Sequence, residues 1–361
     1  MMTTNAPLPT PADIAHAATE LREGRLVAFP TETVYGLGAD AQQPDAVARI
    51  YAAKGRPTGH PVIVHVAPGA DLSYWADPVP DEARALVRAF WPGPLTLILK
   101  RAAAIPDTVS GGQDSIGLRC PSHPVAQALL VAFAAGSPDG QAGVAAPSAN
   151  RFGHVSPTRA EHVRAEFASE ISHGMPVLDG GSAEVGIEST IVDLSGIHLG
   201  RHAALLRPGH VTVNDLKKVL GYEPQAPDAA SPRASGTLKA HYAPQTPVEL
   251  AGGRRLGDLI SGIGIPEDER WAILSFVVAP AGLAPQLVWH ALAGQPEGYA
   301  RDLYAALHDL DRLGLDRIVV QRPPDVPAWR AINDRLVRAG AAFDLAPDVS
   351  GDPSPSQHSP E

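Results

Sequence analysis

The segment from Gly221 to Pro247 restricts the folds open to this chain more than any other stretch. It sets Pro224, Pro227, Pro232, Pro244 and Pro247 among alanine, serine and glycine. Each proline removes a backbone donor and fixes φ, so neither a helix nor an interior strand of ordinary length can run through it. The chain therefore divides into residues 10–220, a linker at 221–247 and a second domain at 248–345. A length of 361 residues, more than one average domain, agrees with that division. Residues 346–361 hold too few apolar side chains to order themselves and are expected to form a disordered tail.

Within the first part, Leu26 to Phe29 is an apolar run that stops at Pro30. A polar Thr31-Glu32-Thr33 turn follows, then a loop through Gly36 and Gly38, then a helix opening at Pro44. Val47, Ile50 and Tyr51 share one face of that helix, and Gly55 and Pro57 end it. This strand, loop and helix place Lys54 and Arg56 in a loop, where they could hold a phosphate chain beside a small polar substrate. Ordinary surface charge is the plainer alternative for the pair.

Further along, a helix capped by Thr10 and strands at Pro61–Val66, Leu95–Lys100 and Ile116–Cys120 are expected, with helices at Asp81–Trp91 and Pro124–Phe133. His65 alternates with Val64 and Val66 and faces away from both. Arg119 lies among apolar neighbours and must find an anion or leave its head exposed. Gly143–Ala146 reads as a short strand running into Pro147-Ser148-Ala149-Asn150, where Ser148 and Asn150 either project from the sheet rim or close a local turn. A helix from Ser156 through Phe167, strands and turns at Val177–Gly181, Glu188–Leu194 and Ala204–Gly209, and a helix at Thr212–Leu220 complete this part. So few helices between so many strands predict a mixed sheet of α+β character. Beyond the linker, Trp271–Phe276, Tyr299–Leu313, Arg317–Gln321 and Ala328–Ala339 alternate strand and helix, the pattern of a small parallel α/β domain. The class is α/β overall.

A net charge of −10 argues against general nucleic-acid or anionic-membrane binding, although a local basic pocket remains compatible with it. The single cysteine, Cys120, excludes an internal disulfide and a multi-cysteine zinc site, and reads as a small buried hydrophobe. No basic start precedes an apolar core and no 18-residue window is uninterrupted by polar residues, so a cytoplasmic protein is expected. The phosphate-loop, HExxH, CxxC, GxSxG and dinucleotide-fold GxGxxG signatures are all absent from the sequence. Chemistry then falls to hydroxyl, amide and cationic residues at strand ends.

Those residues sit in motifs with a recognisable order. PTETVYGLG, KGRP, PVIVHV, WPGPLTLIL, IGLRCP, PSAN, SPT, GIEST, LLRPG and HYAP follow one another here, and the sequence resembles the YrdC/TsaC family of threonylcarbamoyl-AMP synthases. The motifs span about residues 10–245, and the linker and second domain resemble the family's long form. The resemblance implies a YrdC-like twisted, mixed, open sheet followed by a smaller Rossmann-like domain. It implies synthesis of L-threonylcarbamoyl-AMP from L-threonine, bicarbonate or CO2, and ATP, with release of pyrophosphate, in a nucleotidyltransferase reaction. The product would supply the machinery that modifies tRNA at the adenine adjoining the anticodon.

By the same likeness the catalytic tetrad falls on Lys54, Arg56, Ser148 and Asn150. The threonine pocket takes Thr31, His65, Arg119, Ala146 and Ser189. The ATP side takes Lys54, Arg56, His60, Ser115, Ser148, Ser156, Arg207 and Tyr242, with His60 standing where many relatives have asparagine. Mg2+ would accompany ATP, with no protein side chain assigned to it. Lys239, His241 and Tyr242 in the linker are expected to close over the nucleotide as a lid; docking of the second domain is the alternative use of those residues. Two other classes compete. An RNA-binding module is disfavoured by the acidic charge and the lack of interleaved aromatics, so stable tRNA binding is not expected. The carbamoyltransferase of hydrogenase maturation would bring zinc-binding cysteines that this sequence lacks.

Overall fold

The computed structural model describes residues 7–344. Helix α1 (Pro11–Arg22) begins at a reciprocal cap, with Thr10 and Asp13 each bonding the other's backbone N–H. It leads into β1 (Val27–Phe29), β2 (Gly36–Asp40), α2 (Pro44–Lys54) and β3 (Ile63–His65). The chain continues through α3 (Leu72–Trp75), α4 (Asp81–Phe90), β4 (Leu95–Lys100), β5 (Ser115–Arg119), α5 (Pro124–Ala134) and β6 (Val144–Ala145). Helices α6 (Ala160–Glu166) and α7 (Ala168–Ser172), strands β7 (Thr190–Asp193) and β8 (Ala204–Arg207), and helix α8 (Val213–Leu220) follow. The eight strands form one sheet in the order β1-β2-β6-β3-β5-β4-β7-β8. Only β3/β5 and β4/β7 are parallel pairs, so the sheet is mixed, as its sequence predicts.

Helices α1 and α5 cover part of one face, where Leu21, Phe29, Leu129 and Phe133 interlock. A larger core gathers Val64, Trp75, Leu86, Leu97 and Leu118. A fully buried leucine or phenylalanine contributes about 1.5–3 kcal/mol, and these clusters hold the strand ends that carry the polar residues.

Three expectations fail in this domain. The segment through Gly36 and Gly38 is a strand, not a loop: Phe29 pairs with Gly36 and Val27 with Gly38. Its glycines answer a packing need, since a Cβ on Gly38 would stand 2.8 Å from both the Phe29 ring and Val144. Val177–Gly181 is not a strand, and its one ladder contact with the sheet is the Ala28–Val177 bridge. The helix expected from Ser156 starts later, at Ala160, and breaks at Phe167.

The second sheet comprises β9 (Val248–Ala251), β10 (Trp271–Ser275), β11 (Leu287–Ala291) and β12 (Arg317–Gln321), all parallel, in the order β11-β10-β12-β9. Helices α9 (Gly253–Ile260), α10 (Pro296–Asp311) and α11 (Arg330–Ala341) pack on it. The expected tail at 346–361 lies outside the described residues.

The two sheets are joined through Gly186. Its φ is +78°, and a Cβ there would overlap the backbone of Arg301 in α10. Gly186→Ala is therefore expected to cost more than about 1 kcal/mol, beyond the ordinary penalty of a left-handed residue, because the fixed helix backbone must also move. The check is a fall in Tm without change in the far-ultraviolet spectrum at 25 °C; an unchanged Tm would rule out this close docking.

Candidate active site

One cleft collects residues from eight separated segments of the chain. Tyr35 and Leu37 exchange backbone bonds with the 147–157 segment: Leu37 N–H donates to Pro147 O and Ala149 N–H to Tyr35 O, both at 2.8 Å. Pro147–Asn150 thus runs beside β2 along the sheet rim. Register does the rest, because His65 and Arg119 are paired neighbours on the parallel strands β3 and β5. Lining side chains include Thr31, Lys54, Arg56, His65, Arg119, Ala146, Ser148, Asn150, Ser189, Arg207 and Tyr242.

At the end formed by β3 and β5, Arg119 and Glu32 form an ion pair at 2.6 Å, with side chains 5% and 4% exposed. The two charges meet as an ion pair without a directed hydrogen bond between them. Arg119 Nε also reaches Gly93 O at 3.4 Å. The arginine in an apolar strand has therefore found its anion, one that sequence reading took for part of a turn. His65 is buried beside it with Nδ1 unpartnered, and burial followed by the Arg119 charge lowers its pKa to about 3. A neutral imidazole with a free nitrogen can accept or donate one hydrogen bond to a substrate. The Thr31 hydroxyl is occupied, donating to Val34 O at 2.6 Å and accepting from the Thr33 and Val34 N–H groups at 3.3 Å. It shapes the loop. Ala146 is buried against the Gly36 position, where a Cβ would meet its methyl at 3.3 Å.

Ser189 lies at the entry to β7. Its hydroxyl meets Thr96 at 2.7 Å and accepts from Arg207 Nη2 at 3.1 Å, while its carbonyl accepts from Arg207 Nε at 3.0 Å. Arg207 Nη1 donates to Ser235 O of the linker at 2.9 Å. One buried arginine thus ties β7, β8 and the linker together.

The opposite end is cationic. Lys54 ends α2 rather than sitting in the loop, and is 2% exposed. Its Nζ donates to Ser148 O at 2.6 Å and to Asn150 O. Among the described residues no carboxylate pairs with it, and burial followed by the neighbouring Arg56 charge pushes its pKa well below the usual lysine range. Arg56 donates to Pro61 O at 2.8 Å and lies over the Phe152 ring at 5.9 Å. Burial lowers its pKa to about 10. Arg56 Nε and Asn150 Oδ1 are buried without partners, although Asn150 Nδ2 donates locally to Arg151 O and His154 O at 2.7 and 2.9 Å. Two cations without an anion and two unused polar atoms describe a site built for a polyanion with further hydrogen-bonding capacity.

The linker forms the roof. Ala243 N–H donates to Gly153 O at 2.9 Å, and Tyr242, at φ +64°, lays a fully buried ring over the cleft. His241 meets Phe152 edge to face at 5.9 Å, and burial lowers its pKa to about 3. Lys239 departs from expectation, since it is exposed and does not line the cleft. The free space beneath the roof is about 40 Å3, too little for a nucleotide.

Three assigned residues lie outside that lining. His60 touches Phe152 edge to face at 5.5 Å from the outer side. Ser115 opens β5 opposite Lys100, and Ser156 is buried behind the cleft with its hydroxyl donating to Glu188 at 2.5 Å. Sequence reading also missed Glu32, Phe152 and Glu188. Glu188 stood in the GIEST motif, but nothing local marks a carboxylate as buried. Burial alone would raise its pKa; Arg335, Arg207 and the Ser156 hydroxyl hold it down to about 2.

Residues 19–209 match the Sua5/YciO/YrdC family model, described as telomere recombination. Residues 211–341 match a model described as the threonylcarbamoyl-AMP synthase C-terminal domain. The chain is 36% identical to the threonylcarbamoyl-AMP synthase of Pyrococcus abyssi over 335 residues, covering 90% of this chain and 92% of the relative. Identity to the Bacillus subtilis threonylcarbamoyl-AMP synthase is 36% over 347 residues, with the same coverage of 90% and 92%. The crystal structure of P. abyssi Sua5 complexed with L-threonine superposes with a TM-score of 0.80 at 35% identity, over 92% of this chain and 95% of that one. A variant of that protein with one histidine and one tyrosine replaced by alanine gives 0.80 at 33% identity, over 92% and 93%.

Proposed function

The chain belongs to the Sua5/YciO/YrdC family in its two-domain, threonylcarbamoyl-AMP synthase form, and we propose that it condenses L-threonine, bicarbonate-derived CO2 and MgATP into L-threonylcarbamoyl-AMP and pyrophosphate. The carrying observation is one cleft with an arginine and a neutral histidine at one end and two anion-free cations at the other. A threonine-sized zwitterion and a phosphate chain need that pairing. The threonine amine adds to CO2 and loses a proton, giving a carbamate. A carbamate oxygen then bonds the α-phosphorus as the bond to the β-phosphate oxygen breaks, transferring AMP and releasing pyrophosphate.

Both reactants are anions, so holding them together is the main obstacle, and fixed cations and donors address it better than a side-chain nucleophile would. Arg119, oriented by Glu32, would take the threonine carboxylate. Lys54 and Arg56 would take the phosphates, and Asn150 Oδ1 a donor of the substrate. No general base is required of the protein. The residues do not fit a resident metal: among the described residues there is no cluster of three or more metal-binding side chains, and the cleft's Glu32 and Glu188 are both committed to arginines. Mg2+ would therefore arrive with ATP, as part of the MgATP substrate. The roof must lift to admit the nucleotide, and the product is expected to serve threonylcarbamoyl transfer to tRNA.

Pyrophosphate release from ATP is expected only when threonine and bicarbonate are both present. Serine, lacking one methyl, should lose about 1–3 kcal/mol of discrimination, a partial effect. Alanine should be far poorer, because it leaves hydroxyl-binding groups unpaired. Equal rates with alanine would sink the hydroxyl-recognising pocket, and release without threonine would sink the synthase reading.

A further inference from the structure

The second domain reaches the cleft wall through two fully buried side chains, Arg335 and Tyr304. Arg335 of α11 is 1% exposed. Its Nε donates to Glu188 Oε2 at 2.8 Å and its Nη2 to Glu188 O at 3.3 Å. Its guanidinium also lies over the Tyr242 ring of the linker at 5.3 Å. Asp334 accepts from Nη1 at 2.8 Å and holds the fork in place. Tyr304 of α10 repeats the connection, donating to Glu188 Oε2 at 3.0 Å and stacking on Tyr242 with ring centroids 5.8 Å apart. Glu188 adjoins Ser189, which Arg207 binds through both carbonyl and hydroxyl.

Stability is a poor reason for this arrangement. A buried ion pair often does no better than apolar residues of the same volume, because desolvation offsets the attraction. What an apolar residue could not do is orient the Glu188 carboxylate and backbone while also holding the face of Tyr242. The guanidinium touches the cleft wall and the roof at once, from a domain that supplies no residue to the cleft lining itself.

We propose that Arg335 is a positioning residue for the synthase reaction, a latch by which the second domain holds the linker closed over the cleft. This rests on the function proposed above. The product is a mixed carbamic–phosphoric anhydride. Water that reaches it breaks the bond between the acyl group and the phosphate oxygen, giving AMP and N-carboxythreonine, which loses CO2 to return threonine. ATP is then consumed with nothing gained. A latched roof excludes that water until the product leaves.

The test uses the full chain carrying Arg335→Met. Without ligands, cleavage by a protease within residues 225–247 should be about tenfold faster than in the unsubstituted protein, because the closed state loses its hold. With MgATP, threonine and bicarbonate, pyrophosphate release should persist while early product per pyrophosphate falls about tenfold and AMP takes its place. Arg335→Lys, which keeps the charge but not the fork, should recover part of the yield. A merely structural role would lower Tm and leave product per pyrophosphate unchanged; that result, or linker cleavage as slow as in the unsubstituted protein, overturns the latch. Should Arg335→Met not fold, Tyr304→Phe removes the parallel hydrogen bond to Glu188 from the second domain while keeping the ring, with the same two outcomes. If the unsubstituted protein releases no pyrophosphate, the synthase reading fails, and the ligand-free cleavage comparison still decides whether Arg335 holds the linker.

Discussion

Lys54→Ala and Arg56→Ala are each expected to lower pyrophosphate release by about 100-fold or more, the usual scale for removing a group that meets developing charge. Both cations lack a carboxylate partner within the cleft, and Lys54 is held only by backbone carbonyls. A lysine whose charge is disfavoured by burial is stabilised when a phosphate arrives, so its attraction is spent on the ligand and not on an internal salt bridge. As loop residues, which the sequence suggested, they could be truncated without harm to the fold. Their burial changes that expectation. Removing Lys54 leaves the Ser148 and Asn150 carbonyls without their donor, a cost of about 1–3 kcal/mol. Turnover should therefore be compared at a temperature well below the lowered Tm. Near-normal turnover in both variants would refute the phosphate assignment.

Arg119 should show the second large effect. Arg119→Gln leaves Glu32 buried without its cation, which typically costs about 3–5 kcal/mol. Threonine KM should rise about 100-fold as the substrate carboxylate loses a charged donor, with ATP KM changing much less. Arg119→Lys separates the two consequences. It keeps a charge near Glu32 and so most of the stability, but lacks the planar fork and should still raise threonine KM. Equal increases in both KM values would mean that Arg119 organises the cleft as a whole instead of binding threonine.

Strand and helix positions were legible wherever a hydrophobic period met a clear stop. Leu95–Lys100 and Arg317–Gln321 match the observed strands residue for residue. Gly36–Asp40 was not legible, because glycines that admit the Phe29 ring look the same in sequence as glycines that make a loop. The edge strands β9 and β11 escaped as well: β9 is short, and β11 is mostly half-buried, so neither carries a strong alternation.

The same division runs through the site. Ordered motifs were enough to mark Lys54, Arg56, His65, Arg119, Ser148, Asn150, Ser189, Arg207 and Tyr242, and all of them line one cleft. Ser115, Ser156 and His60 do not, since adjacency to a motif does not say which way a side chain faces. Tertiary structure alone decided the partners: Glu32 for Arg119, Glu188 for Arg335, and Tyr242 for both the roof and the second domain. The physical reason is separation along the chain. Periodicity and capping are local, so a sequence displays them directly, whereas an ion pair joining residues 188 and 335 exists only after two sheets have packed and excluded water from between them.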